Sequence, residues 1–300
     1  MTMAILTDRP ATSRHTAPAP KPRRNHARTL RRLPGYLCVA LLLVVVTYPL
    51  LWLFLGSFKT QDEFLNGSTT ALPDSFTNFG NYSQAWSSVA TYLQNSLLTV
   101  VPALALIIVL GTAAGFALEV LVWKGRQTTL LLFLAGIMIP GQMILLPLFT
   151  VYFELHLTGT LWPLVITYTA TGLPLTVFMM ATYFRAVPKQ VFEAATMDGA
   201  SIIRSFVSIG FPMMRNAILT IALVQFFFLW NDLLIALTFT TDDAQRTVQV
   251  GLLNFTGRFG VVEYGPTFAA ICINVLLILA IYVFLNQRVM RGLAAGAVKG

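Results

Sequence analysis

The sequence runs to 300 residues, 56% hydrophobic and 11% charged, with a formal net charge of +8. So little charge, set between apolar runs longer than a soluble core helix needs, excludes an ordinary water-soluble domain and implies a chain that crosses a membrane repeatedly. The basic residues are divided among the flanks of those runs instead of forming one patch, which argues against nucleic acid as a partner.

Residues 1–33 are rich in Arg, Pro, Ala and Thr and show no apolar periodicity, so they read as a disordered basic arm whose cations can meet anionic headgroups. The apolar run that follows is too long for a signal-peptide core and is not followed by a small-x-small cleavage site, so it reads as a retained first span. A helix needs about 20 apolar residues to cross roughly 30 Å of hydrocarbon. Six segments qualify, at about 36–56, 91–119, 128–152, 158–184, 216–239 and 265–287, giving an all-α, polytopic membrane protein. Its transmembrane domain would occupy residues 34–290, with a polar loop at 185–215 and a tail at 291–300.

Orientation follows from the side that collects Lys and Arg. With the N-terminus inside, seventeen of the twenty basic residues fall on the cytoplasmic side and only Lys59, Arg246 and Arg258 fall outside. Both termini and the polar loop are therefore expected in the cytoplasm of a multi-pass cell-membrane protein.

Within the spans, Gly111-Thr112-Ala113-Ala114-Gly115 has the small-xxx-small spacing that lets helices approach closely. Prolines 102, 140, 147, 163 and 174 each remove a backbone donor and imply kinks. Asp232, beside Asn231 in the fifth span, is the ionisable group deepest in apolar surroundings; it either lines a water-filled translocation path or bonds neighbouring helices. Glu119 is expected at the inner end of its span beside Lys124, and Glu154 and His156 in a short outer loop, as interfacial groups.

No catalytic constellation is visible. Three His and two Cys, scattered and partly in the arm, make no metal site, and Cys38 and Cys272 read as packing residues within spans. No GxxxxGK[ST] phosphate loop occurs, so any active transport must draw its energy from another subunit or an ion gradient.

Between the fourth and fifth apolar runs lies a polar island, residues 187–201. Pro188 suits a helix's first turn, where its missing donor costs nothing. Good helix formers follow from Lys189 to Asp198, with Val191, Phe192, Ala195 and Thr196 on one face. Gly199 tolerates the left-handed turn that redirects the chain, Ser201 can cap a second short helix over 202–209, and Pro212 is expected to end the unit. The predicted product is a short helix bent back at a fixed angle, a knob suited to a groove.

Glu193-Ala194-Ala195, then Gly199, then Ile209-Gly210-Phe211-Pro212 resembles the EAA signature of ABC-importer permeases, in the Asp198-Gly199-Ala200 form of the carbohydrate branch. Phe211 stands where Leu is usual, and Asn216 where a second proline is often found. Ser57-Phe58-Lys59-Thr60, Trp230-Asn231-Asp232 and the glycine-rich tail from Gly292 to Gly300 are similar to the maltose-permease-like second subunits, so the resemblance extends from residue 36 onward.

The resemblance implies that the island is a coupling helix inserted in a cleft on a cytoplasmic ATPase. Glu193, Ala194, Ala195, Asp198, Gly199, Ala200 and Pro212 would form the docking surface, with Glu193 paired to a basic residue of the ATPase. Gly296, Lys299 and Gly300 of the tail would reach the ATPase dimer. The implied partners are a homologous permease subunit forming a heterodimer, two copies of the ATPase carrying ATP and Mg, an extracytoplasmic substrate-binding protein and a sugar. The chain itself would be no enzyme and hold no cofactor. The outer loop at 240–264 would approach the binding protein. A polyol or glycerophosphodiester is the alternative cargo within this class; an ion-coupled secondary carrier or a channel is the alternative outside it.

Overall fold

The computed structural model describes residues 26–68, 70–253 and 262–297. The chain divides into two compact units, one reaching to Leu50 and one beginning at Leu51. All regular structure among the described residues is helical.

Helix α1, His26–Gly56, carries the whole of the first unit's described structure. Its backbone is helical for several residues ahead of the arm boundary expected at 33, and residues 1–25 of that arm lie outside the described residues. Leu41 to Val46 are each more than half exposed, a helix apolar all round, as lipid contact requires.

In the second unit, α2 (Gln61–Leu65) is a single capped turn and α3 (Gly80–Glu119) is the long central helix. The third apolar run is not one straight helix. It forms α4 (Arg126–Met138), a 3-10 turn at Gly141–Ile144 and α5 (Leu145–Glu154), bent by 89°. Pro140 lacks the donor that would carry the helix through, and Ile139 before it is extended, as a residue preceding proline prefers. The other prolines expected to kink spans do not interrupt theirs. Pro102 lies inside α3 and Pro174 inside α6 (Trp162–Arg185), whose first turn also holds Pro163, while Pro147 sits in the first turn of α5.

The polar island folds as α7 (Gln190–Met197) and α8 (Ile202–Ser205), continued by a π turn at Phe206–Gly210 and by α9 (Phe211–Met213). Next come α10 (Arg215–Trp230), α11 (Leu234–Phe239), α12 (Val248–Leu252) and α13 (Tyr264–Ala297). The fifth run, expected to be continuous over 216–239, is therefore broken at residues 231–233. Among the described residues, four helices are long and apolar enough to cross a membrane, and up to six if each of two bent pairs counts as one span.

Close approach of α3 and α6 follows from Gly111 and Gly115. A Cβ on Gly115 would lie 2.6 Å from Met180 Cβ and 2.9 Å from the Ala181 nitrogen, and one on Gly111 would strike Thr176. The small-xxx-small spacing thus performs the packing expected of it. At the end of this pair, Arg185 grips Glu119 with two parallel hydrogen bonds, Nε to Oε1 at 3.1 Å and Nη2 to Oε2 at 3.0 Å. Arg185, rather than Lys124, is the partner of Glu119.

Two apolar clusters are strung along α3. One joins roughly its first two thirds to α6, α10, α11, α12 and α13 through residues such as Val89, Ile107, Tyr168, Trp230 and Val248. The other joins its last third to the island. Phe116 meets Phe184 and Phe192 edge-on, with ring centroids 5.6 and 5.5 Å apart, and Phe206 at 5.3 Å.

Buried polar groups pin the segments at the other end. Lys59, only 3% exposed, donates to the Ser68 carbonyl at 3.3 Å and lies over the Phe64 ring. Asn81 Nδ2 reaches the carbonyls of Ser57 and Lys59, and Asn95 Nδ2 those of Ala244 and Arg246. The Val248 N–H is taken by Ser96 Oγ at 2.8 Å. The stretch 243–252 is thereby held on α3, while residues 254–261 of the outer loop lie outside the described residues.

Candidate functional site

Sequence reasoning singled out two places, and they fold as two distinct sites. The first is the island. Gly199 adopts φ +77°, the left-handed conformation expected, and a Cβ there would touch nothing, so the demand on this position is purely conformational. Ser201 Oγ accepts from the Arg204 N–H at 3.3 Å and caps α8. Phe192 is buried against Phe116 and Ala195 is buried, whereas Glu193, Ala194, Asp198 and Gly199 are exposed and Ala200 is half-buried. Of the two signature alanines only Ala194 therefore faces outward. Lys189, Glu193 and Thr196 border a cleft of about 250 Å³ against Val120 and Leu121 at the end of α3.

Pro212 does not end the unit. The Phe211 N–H bonds to the Phe206 carbonyl five residues back, so the chain widens into a π turn just where the proline ring would otherwise crowd the preceding turn. The helix runs on through Met213, and the sharp bend, 73°, comes between Met213 and Arg215. Pro212 itself is exposed.

The second site is a cavity of about 510 Å³ where the break at 139–141 and the break at 231–233 face α6. Ile139, Gly141 and Ile144 form one wall, Tyr168, Thr171, Gly172 and Pro174 a second, and Gln225, Phe228 and Asp232 a third. Asp232 both lines this cavity and bonds across helices. Its Oδ2 accepts from the Tyr168 hydroxyl at 2.9 Å and the Ala236 N–H at 3.0 Å, and its Oδ1 from the Ile235 N–H at 3.4 Å. The break thus exists because a side chain takes over the free donors that begin α11. Gln225, 3% exposed, reaches from α10 to the Gly172 carbonyl at 3.0 Å and Thr176 Oγ1 at 2.9 Å.

Asn231, paired with Asp232 in the sequence, is not among the cavity's lining residues. Its Nδ2 donates to the Phe227 carbonyl at 2.9 Å and its Oδ1 accepts from Gln249 at 3.3 Å. Sequence reasoning missed Tyr168, Thr171 and Gln225, whose polarity is ordinary in an apolar helix; the Pro140-Gly141 pair was the available signal for the first break. Of the predicted tail contacts, Gly296 lies in the last turn of α13, and Lys299 and Gly300 lie outside the described residues. Among the described residues no group of three or more His, Cys, Asp or Glu comes together.

Comparison with known proteins places these features in a family. The profile described as "Binding-protein-dependent transport system inner membrane component" matches residues 107–291, which include the island, the cavity walls and most of α13. The chain is 32% identical over 259 residues to the diacetylchitobiose uptake system permease protein NgcG of Streptomyces coelicolor, covering 85% of each chain. It is 28% identical to the trehalose/maltose transport system permease protein MalG of Thermococcus litoralis, covering 90% of this chain and 98% of that one. Its fold matches a chain in the crystal structure of a bacterial ABC transporter involved in the import of the acidic polysaccharide alginate, with a TM-score of 0.76 at 18% identity, over 89% of this chain and 99% of the other. The chain belongs to the family of binding-protein-dependent transport system inner membrane components, multi-pass permease subunits rather than enzymes.

Proposed function

We propose that this chain is a permease subunit of an ATP-driven ABC importer, moving a sugar delivered by an extracytoplasmic binding protein into the cytoplasm by alternating access. The observation that carries the proposal is the shape of the island. An exposed Glu193 stands on a short helix whose apolar face is locked to the bundle by Phe116 and whose exit is set by the left-handed Gly199. A rigid knob of this kind transmits a push from a partner instead of absorbing it. Sugar as cargo is supported by the relatives named for diacetylchitobiose and for trehalose/maltose uptake.

In this proposal the membrane is crossed six times, with α4 and α5 counted as one crossing and α10 with a neighbouring helix as another. Both termini and the island face the cytoplasm. A homologous permease completes the pathway, and two ATPase subunits bind ATP and Mg and receive the coupling helices of the two permeases. Closure of the ATPases draws those helices together and rocks the permease halves. Glu193, Ala194, Asp198 and Gly199 make the docking face, and Phe192 and Ala195 transmit its movement to α3. The tail residues Gly296, Lys299 and Gly300 add contacts to the ATPase pair.

The test is co-purification. Expressed with its partner subunits, the wild-type chain brings down an ATP-hydrolysing subunit, whereas Glu193→Ala and Gly199→Val lose it while still inserting in the membrane. Truncating one member of a desolvated ion pair costs about 2 to 5 kcal/mol, enough to clear the partner in a pull-down. Full retention by both variants would sink the docking assignment.

A further inference from the structure

Four polar side chains line the cavity at the two helix breaks, and every side-chain proton they carry is already donated inside the protein. The Tyr168 hydroxyl donates to Asp232 Oδ2 at 2.9 Å, and Thr171 Oγ1 to the Thr167 carbonyl at 2.8 Å. Gln225 Nε2 gives its two protons to the Gly172 carbonyl at 3.0 Å and Thr176 Oγ1 at 2.9 Å. Asp232, as a carboxylate, has none to give. What these side chains have left is acceptor capacity: spare lone pairs on Asp232, on Gln225 Oε1 and on the two hydroxyl oxygens. Pro174 adds to it, since its missing N–H leaves the carbonyl of Ala170, another lining residue, without its usual helical donor. No Lys, Arg or His is among the lining residues.

A set of lining side chains that can only accept, with one carboxylate and no cation, is chemically selective. A sugar hydroxyl brings the missing donor, and two neighbouring hydroxyls can share one carboxylate. A uronate or sulfonate brings acceptors to acceptors and a second negative charge beside Asp232, where apolar walls of Phe228, Leu229 and Ile139 screen poorly. The volume, about 510 Å³, suits one or two sugar rings, since small-molecule sites run from about 300 to 1,000 Å³.

We propose that this cavity is a binding subsite for uncharged, hydroxyl-rich sugars and that Asp232 is the residue that turns acidic sugars away. This rests on the sugar-importer function proposed above and narrows it to a charge class.

The test uses the purified permease–ATPase complex without its binding protein, so that selection upstream does not mask selection here. Maltose and cellobiose, each against the uronate of equal size, serve as probes in saturation-transfer NMR. For the wild type, the neutral member is expected to bind about tenfold more tightly or better, as like-charge contact in a poorly screened site implies. Asp232→Asn keeps an oxygen for the N–H groups of α11 and so preserves the break, yet it should shrink that preference severalfold. Thr171→Lys, which leaves Asp232 and its bonds untouched, should shrink or invert it by placing a cation on the opposite wall. Equal binding of both members by the wild type overturns the proposal, as does a preference unchanged in both variants. So does the absence of binding by any probe, the outcome if the partner permease fills the cavity. A parallel assay of ATP-driven sugar uptake by the complete importer separates the two levels. Uptake present with charge preference absent removes only the subsite, whereas no sugar uptake at all removes the importer function beneath it.

Discussion

The Tyr168 hydroxyl donates a hydrogen bond to Asp232 at 2.9 Å, joining the first third of one membrane helix to the point where another is interrupted. The carboxylate also collects two N–H groups of the resumed helix, so this one side chain holds the break open and faces the cavity. Tyr168 is 1% exposed, which makes the bond hard for solvent to replace. Tyr168→Phe is expected to cost about 1.5 to 3 kcal/mol, the range for a buried bond to a charged acceptor. Asp232→Ala should cost more, because it also strips the cap, whereas Asp232→Asn should cost less than either. Thermal unfolding of the purified protein in detergent ranks the three, and a Tyr168→Phe/Asp232→Asn double variant isolates the pair energy.

Gly115 and Gly141 make a matched pair of opposites. A Cβ on Gly115 meets Met180 and the backbone of Ala181, while one on Gly141 meets nothing within 4 Å. Gly115→Leu should separate α3 from α6 and lower the monodisperse yield in size-exclusion chromatography, with a penalty at or above the roughly 1 to 3 kcal/mol typical of overpacking. Gly141→Ala should behave as wild type within about 0.5 kcal/mol.

The same contrast separates fold from function at Gly199. Its left-handed φ of +77° with open space around it means that Gly199→Asn is tolerated better than Gly199→Val, although both add bulk. The valine variant carries a strain of about 1 to 2 kcal/mol, or it straightens the exit of α7. Measured together, a modest fall in melting temperature with a large loss of ATPase co-purification marks a change in angle, and equal falls in both mark simple unfolding.

Much of the island was legible because its signals are local. Proline at 188, glycine at 199 and serine at 201 act within one turn of themselves, and the structure uses Gly199 and Ser201 as their chemistry suggests. Gly111 and Gly115 were legible for the same reason. The break at 231–233 was not, because hydropathy reports solvent preference and is blind to which backbone donors find partners; a kink was expected at Pro140, where the 89° bend lies, but equally at four other prolines. Pro102 and Pro174 remain inside uninterrupted helices, while Pro140, followed by Gly141, ends one. Asp232 was found by its charge, but its partner Tyr168 lies 64 residues earlier and no local pattern links them. Pro212 misled because the π turn that accommodates it depends on Gly210 packing against Phe116 and Phe184.

A pH dependence is expected outside the membrane helices, at Glu63. The Asp74 N–H, then the Thr60 N–H, hydrogen-bond its carboxylate and hold its pKa below the ordinary 4.5. The folded state therefore favours the ionised form. The stability this contributes is fully present above the ordinary value and is lost as the pH falls through the lower folded value. Melting temperature followed from pH 6 downward should fall more steeply for wild type than for Glu63→Gln, which has no proton to take up. Parallel curves would show that the Thr60–Glu63 capping box does not contribute.

The central claim is that motion is imposed on this chain by ATP hydrolysis elsewhere and enters through the island. Uptake of the sugar carried by the binding protein, measured in proteoliposomes holding the complete importer with ATP kept constant inside, tests it most directly. Uptake is expected to continue when a protonophore collapses the proton gradient and to fall to background in Glu193→Ala under the same conditions. Uptake that stops with the gradient while ATP is maintained, or that proceeds at the full rate in Glu193→Ala, would contradict the account.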